Sequence, residues 1–229
     1  MKTILIIGGS HGVGQSIIEQ IKDQANIINM SRTPPKHIDQ LTHYSLDILE
    51  EPLPNLDHLG HIDGLVYCPG SITLKPFTRL TLDTFRKDFE INVLGIVKAI
   101  QAYESLLKKS TSSSVVLFSS VATKIGMSMH ASISASKSAI EGLTKSLAAE
   151  YATKIRFNAI APTLTDTPLA HHILNNDKKK ESMSERHPLK RYLQPEEVAS
   201  FASYLLSEQS KSLSGQVFYL DSGIVSIKS

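Results

Sequence analysis

The stretch KTILIIGGSHGVGQSIIEQIK, residues 2–22, decides the fold. Residues 2–7 form a short isoleucine-rich run that reads as a strand, and 15–22 form an amphipathic stretch that reads as a helix. Between them lie Gly8, Gly9, Ser10, His11, Gly12, Val13 and Gly14. Gly8, Gly12 and Gly14 make a GxxxGxG turn. Without side chains the backbone can approach a pyrophosphate closely, and the first N–H groups of the helix point at its oxygens. The same spacing alone also fits an ordinary strand-to-helix loop, so the rest of the chain has to decide between the two.

A second apolar strand, 25–30, ends at Ser31 and Arg32. They lie about 20 residues beyond the glycines, where dinucleotide folds place the group that reads the adenosine ribose. An acidic residue there would accept a hydrogen bond from a 2′-hydroxyl. A hydroxyl and a guanidinium suit a 2′-phosphate, so NADP(H) is preferred over NAD(H), with Ser10, His11 and Val13 as further candidate contacts on the turn. An arginine on a solvated surface loop is the competing explanation for Arg32.

Strands and helices then alternate. Strands are expected at 41–46 (ending at Asp47), 63–68, 115–118, 155–160 and 216–220. A long helix capped by Thr81 or Asp83 runs to about 109, another spans 131–152, and a last one starts at Pro195. The stretch 50–61 is proline-broken, so any crossover helix there is abbreviated. This alternation predicts an α/β fold, a doubly wound parallel sheet of about seven strands with helices on both faces and ligands at the carboxyl ends of the strands. At 229 residues and 41% hydrophobic, the chain fits one domain, 1–229.

Several classes are excluded. No window approaches the roughly 18 apolar residues of a membrane span. The N-terminal apolar run is too short for a signal peptide. The lone Cys68 has no partner for a disulfide within the chain. A cytoplasmic protein is therefore expected, with no metal site. A net charge of +2 is too mild to argue for nucleic acid, and the basic run 178–180 reads as a solvated loop.

From 4 to 223 the chain resembles the short-chain dehydrogenase/reductase family in its single-domain Rossmann form. Gly8, Gly12 and Gly14 match the family's cofactor glycines, with Ile7 where threonine is usual. Asp47 matches the aspartate at the adenine, and Gly70 ends a strand motif that reads Cys68-Pro69-Gly70 where Asn-Ala-Gly is usual. Asn92 matches the asparagine that holds a water and the lysine. Ser119 and Ser120 follow the fifth strand, Ser120 at the catalytic serine. Lys137 follows at the family's spacing. Pro162 matches the proline after the sixth strand, with Thr163 replacing a glycine, and Thr167 the threonine at the nicotinamide carboxamide. Gly215, Asp221 and Gly223 resemble the last strand's signature. The resemblance implies a small-molecule substrate, a lid at about 166–191, and a homodimer or homotetramer through the two long helices.

One position departs from the family where its chemistry lies. The catalytic tyrosine should stand four residues before Lys137, and that residue is Ile133. In the family this phenol protonates the alkoxide formed as hydride reaches a carbonyl. Ser132 and Ser134 lie about 100° to either side on a helix, and serine is a poor acid. His130, one turn earlier, is a candidate substitute, as are His171 and His172 on the lid; each also reads as a surface histidine. The reading that follows is an NADPH-dependent oxidoreductase acting on a small carbonyl or conjugated enone without the tyrosine acid. Asn92, Ser120 and Lys137 would be its catalytic residues. A non-catalytic NADPH-binding sensor or partner subunit is the alternative, and a worn structural protein is disfavoured by the retained glycines, Asp47, Asn92, Ser120 and Lys137.

Overall fold

The computed structural model describes residues 1–36, 38 and 41–228. Its strands are β1 (Lys2–Ile7), β2 (Ala25–Ser31), β3 (Thr42–Ser45), β4 (Gly64–Tyr67), β5 (Ser113–Phe118), β6 (Ile155–Pro162) and β7 (Val217–Leu220). All seven belong to one parallel sheet in the order β3-β2-β1-β4-β5-β6-β7. The helices are α1 (Gly12–Ile21), α2 (Leu82–Phe89), α3 (Gly95–Lys109), α4 (Ala131–Glu150), α5 (Asp177–Glu185) and α6 (Pro195–Leu206).

The unbroken apolar run of β1 follows from burial on both faces, as in any sheet covered on two sides. Successive side chains point opposite ways. Leu5 and Ile7 therefore join a core with Ile96 and Ile100 of α3 and Ile140 of α4. Ile4 and Ile6 join a second core with Ile17 and Ile18 of α1 and Val198 and Leu205 of α6. Because β1 is flanked by β2 and β4, the crossovers on either side of it diverge, which leaves a crevice at the carboxyl ends of β1 and β4.

The Rossmann-type expectation holds, with local corrections. Helix α1 starts at Gly12 rather than 15, so Gly12 and Gly14 lie in its first turn. Gly14 is needed by proximity: a Cβ there would sit 2.4 Å from the Gly8 carbonyl oxygen. Gly8 and Gly12 are needed by conformation, with φ of 82° and 55°. The long helix expected to about 109 is α2 and α3 joined by a π-helical turn, Glu90–Leu94. The cap is Thr81, whose hydroxyl accepts from Thr84 N–H. The basic run 178–180 is not a loop but part of α5; Asn176 caps that helix by accepting from Lys179 N–H at 2.9 Å, and no residue of it is buried. Solvation was therefore legible there, conformation was not. The crossover 50–61 holds only a single 3-10 turn, Asp57–Leu59. Among the described residues no helix is long and apolar enough to cross a membrane.

The tightness of the first turn is testable. Gly14→Ala forces a methyl against rigid backbone and is expected to destabilise the fold by about 1–3 kcal/mol in denaturant unfolding. Gly126→Ala, with nothing within 4 Å of the added carbon, should unfold like the parent.

Candidate functional site

Four strand ends converge on the crevice. At the end of β1, Gly8 packs so closely under Pro69 that a Cβ would lie 2.9 Å from its ring, which binds the β1 turn to the β4 end. Gly12 faces Thr167 beyond the end of β6, with 3.2 Å between its absent Cβ and the threonine methyl. The glycine turn is also held from beneath. Gly9 N–H donates to the Asn29 side-chain oxygen at 3.0 Å, and a Cβ on Gly9 would collide with that oxygen at 2.4 Å. Asn29 is fully buried and donates in turn to Ser31 Oγ at 2.8 Å.

The loop after β2 carries the ribose-reading candidates. Ser31 Oγ donates to the Thr33 carbonyl at 2.9 Å, and Ser10 Oγ donates to the same carbonyl. That shared acceptor brings the turn residue Ser10 beside Ser31. The Arg32 side chain is exposed, while its carbonyl accepts from Ser45 Oγ at 3.1 Å. His11 is the N-cap residue of α1 and makes no side-chain capping bond; Val13 packs partly against the α1–α6 core. Asp47 follows β3, with Oδ1 accepting from Leu49 N–H at 3.0 Å. Asn29 was not singled out in the sequence, although a polar residue inside the apolar run of β2 is the signal that marks it.

The second half of the site gathers around Lys137 on α4. Its Nζ donates to the Phe118 carbonyl at the end of β5, at 2.8 Å. Gly70 lies between this ammonium and Asn92: a Cβ on Gly70 would sit 3.1 Å from Asn92 Oδ1 and 3.6 Å from Lys137 Nζ. Asn92 is on the π-helical turn and buried. That turn has identifiable causes: the Tyr67 hydroxyl donates to the Ile91 carbonyl at 2.8 Å, and Asn92 Nδ2 donates to the Asp88 carbonyl at 2.8 Å. Asn92 Oδ1 has no hydrogen-bond partner although it is buried. An orphaned acceptor facing an ammonium is a place for a bridging proton donor such as water.

Burial pushes the Lys137 ammonium down to about 8, and the charge of Asp88 opposes that fall. Burial pushes the Cys68 thiol up to about 12, and burial likewise raises the Tyr67 phenol, helped by the charge of Asp47. Ser120 follows β5 and accepts from Ala122 N–H at 3.2 Å. Ser119 Oγ donates to Glu141 at 2.7 Å.

Ile133 lies one turn before Lys137 on α4 and is 3% exposed. Its neighbours are committed elsewhere. Ser132 Oγ donates to Asp88 at 2.6 Å, and Ser134 Oγ donates to the Ala122 carbonyl at 2.7 Å. The His130 ring is hydrogen-bonded through Nδ1 to the Ser128 carbonyl at 2.7 Å. His171 and His172 are exposed between β6 and α5. A histidine not considered from the sequence, His187, is buried and ties the segment after α5 to the end of β6: its Nε2 lies 2.7 Å from Thr163 Oγ1 and its Nδ1 2.8 Å from the Met183 carbonyl. Pro162 ends β6 just before Thr163.

Residues 55–225 match a family model described as Enoyl-(Acyl carrier protein) reductase. A tropinone reductase homolog of Arabidopsis thaliana is 29% identical over 97% of this chain and 91% of its own length. Among solved structures, a short chain dehydrogenase family protein from Francisella tularensis is 26% identical with a TM-score of 0.89, covering 99% of this chain and 100% of that one. ElxO with NADP bound is also 26% identical with a TM-score of 0.89, over 99% of both chains. The family model spans well over half of the sequence, and these relatives align over nearly its whole length: the chain belongs to the short-chain dehydrogenase/reductase family.

Proposed function

We propose that the chain is an NADP(H)-dependent oxidoreductase of a small carbonyl or conjugated enone, working without the family's tyrosine acid. The observation that carries this reading is the convergence of Lys137 Nζ and the orphaned Asn92 Oδ1 on Gly70, beside an apolar residue at 133. Retaining that pair serves chemistry more than mere nucleotide storage. The similarity to NADP-bound ElxO supports the cofactor, and the residues fit it. Gly8, Gly12 and Gly14 leave a cradle that Cβ atoms would fill, and the exposed guanidinium of Arg32 suits a 2′-phosphate. Ser10, His11, Val13, Ser31, Asp47, Gly70, Pro162 and Thr167 line the same cofactor reading.

Bound NADPH supplies a hydride. The chain's own task is to hold an acceptor and manage the resulting negative charge. Ser120 donates a hydrogen bond to the substrate oxygen, and the Lys137 ammonium binds the ribose and adds positive charge in a poorly solvated place. Asn92 Oδ1 orders water next to that ammonium. Ile133 offers no proton, so an alkoxide forms without its usual donor. General acid catalysis is typically worth 10² to 10⁴, about 3 to 5.5 kcal/mol, so ketones are slow substrates. An enone is less affected, because hydride adds to its β-carbon and leaves an enolate, a weaker base than an alkoxide, which can take its proton from water.

The same reading places the protein in the cytoplasm as a homodimer or homotetramer through α2–α3 and α4. Exposed Leu82, Phe89 and Leu94 on the α2–α3 face support that association.

Calorimetric titration tests the cofactor. NADPH should bind more tightly than NADH, and Arg32→Ala should cost NADPH about tenfold or more while leaving NADH nearly unchanged, as expected for a charge-assisted bond to phosphate. No binding of either nucleotide would overturn the proposal. Ile133→Tyr should raise ketone turnover by about 10²-fold; equal, poor turnover by variant and parent would show that the phenol is not limiting. Affinity should also depend on pH with a defined sign. Lys137 loses its proton near 8 rather than near 10.5, so NADPH binding weakens as pH rises through 8, and Lys137→Met should abolish that step.

A further inference from the structure

Behind the Lys137 site lies a buried carboxylate that the reaction scheme above does not use. Asp88, near the end of α2, is 2% exposed, yet no salt bridge reaches it among the described residues. Three hydroxyls donate to it instead. Ser71 at 2.5 Å and Thr73 at 3.2 Å share Oδ1, and Ser132 takes Oδ2 at 2.6 Å. A group that only accepts, from three donors, has the bonding pattern of an ionised carboxylate. The donors come from both sides of the site: Ser71 follows Gly70, and Ser132 precedes Ile133.

Ser71 also accepts from Asn92 Nδ2 at 2.9 Å, and the second bond of that amide nitrogen goes to the Asp88 carbonyl. Both amide protons of Asn92 are thus consumed on the Asp88 side. Its carbonyl oxygen is left facing Gly70 and Lys137, where it has no other partner. The opposite rotamer would turn an NH₂ group toward an ammonium and strand two acceptors.

We propose that Asp88 is a positioning residue for this site: through Ser71 it fixes the Asn92 carbonyl toward Lys137, and it supplies the opposing negative charge for the buried ammonium. The groups around that ammonium leave this task to Asp88. From β5 comes only the Phe118 carbonyl. From β4 come the Cys68 thiol, which burial keeps neutral at ordinary pH, and the Tyr67 phenol, which donates to the Ile91 carbonyl. On α4 itself, Glu141 Oε1 accepts from the hydroxyls of Ser119 and Thr123 at 2.7 and 2.6 Å, and it is not among the charges acting on Lys137. Asp88 heads the charges that hold the Lys137 proton against desolvation.

The inference rests on the reading of Lys137 as a site residue, and its test needs no turnover. In protein with isotope-labelled lysine, NMR follows the Lys137 side chain through a pH titration, with Lys137→Met giving the assignment. Asp88→Asn should lower the Lys137 midpoint by about one pH unit, and Asp88→Glu should return it toward the parent value. Asp88→Ser is the second neutral variant if asparagine does not fold. A midpoint that stays in place or rises in a folded neutral variant overturns the charge role. Ser71→Ala keeps the carboxylate, so the midpoint should hold while the Asn92 amide protons exchange with solvent faster; unchanged exchange overturns the positioning role. Failure of the parent protein to bind NADPH would sink the oxidoreductase reading without moving the Lys137 titration, so the two failures are read separately.

Discussion

Lys137 carries its ammonium into a place with little water, and the site is organised around the cost of keeping it there. A desolvated charge persists only with partners. One is the Phe118 carbonyl, which fixes α4 against the end of β5. Across Gly70 stands Asn92, whose Oδ1 has no partner of its own, on the π-helical turn between α2 and α3 that the Tyr67 hydroxyl and the Asn92 amide hold open. Gly70 has no side chain and so lets the two approach. Four elements, β4, β5, the π-helical turn and α4, thus meet around one charged group, on the apolar core they share.

The glycine turn makes the other half of the crevice by a different device, backbone proximity rather than charge. Gly14 touches the Gly8 carbonyl, Gly9 rests on the Asn29 amide, and Gly8 lies under Pro69. Those contacts bring the N-terminus of α1 to the sheet's switch point, where its unsatisfied N–H groups face the crevice. Ser10 and Ser31 share the Thr33 carbonyl, which draws the loop carrying Arg32 beside the turn. Local glycines and one buried asparagine are sufficient for this half, which is why it could be read from a few dozen residues.

Legibility followed the range of the interactions involved. The sheet and its helices were readable because apolar runs and turn residues act locally, and the strand ends were off by only a residue or two. The π-helical turn was not readable, since it depends on Tyr67 meeting a carbonyl 24 residues away. Helix α5 was missed because its sequence has no apolar face; a single Asn176 cap starts it. In the candidate site, Asn92, Ser120, Lys137 and the glycines were singled out through family spacing. Asn29, Asp88 and His187 were not, because each is a polar residue whose partners come from other elements. Ile133 was read from the sequence as standing at the family's tyrosine position, and both neighbouring serines spend their hydroxyls elsewhere, Ser132 on Asp88 and Ser134 on the Ala122 carbonyl.

The central claim is that hydride chemistry outlasts the loss of the tyrosine. It is tested most directly by a single-turnover reaction with NADPH carrying deuterium at the transferable C4 position, offered a conjugated enone and a saturated ketone and read by mass spectrometry. The account predicts deuterium on carbon in the enone product, at a rate well above the ketone's. Tight binding of the labelled cofactor with no deuterium in either product would contradict it and identify a nucleotide-binding module without chemistry.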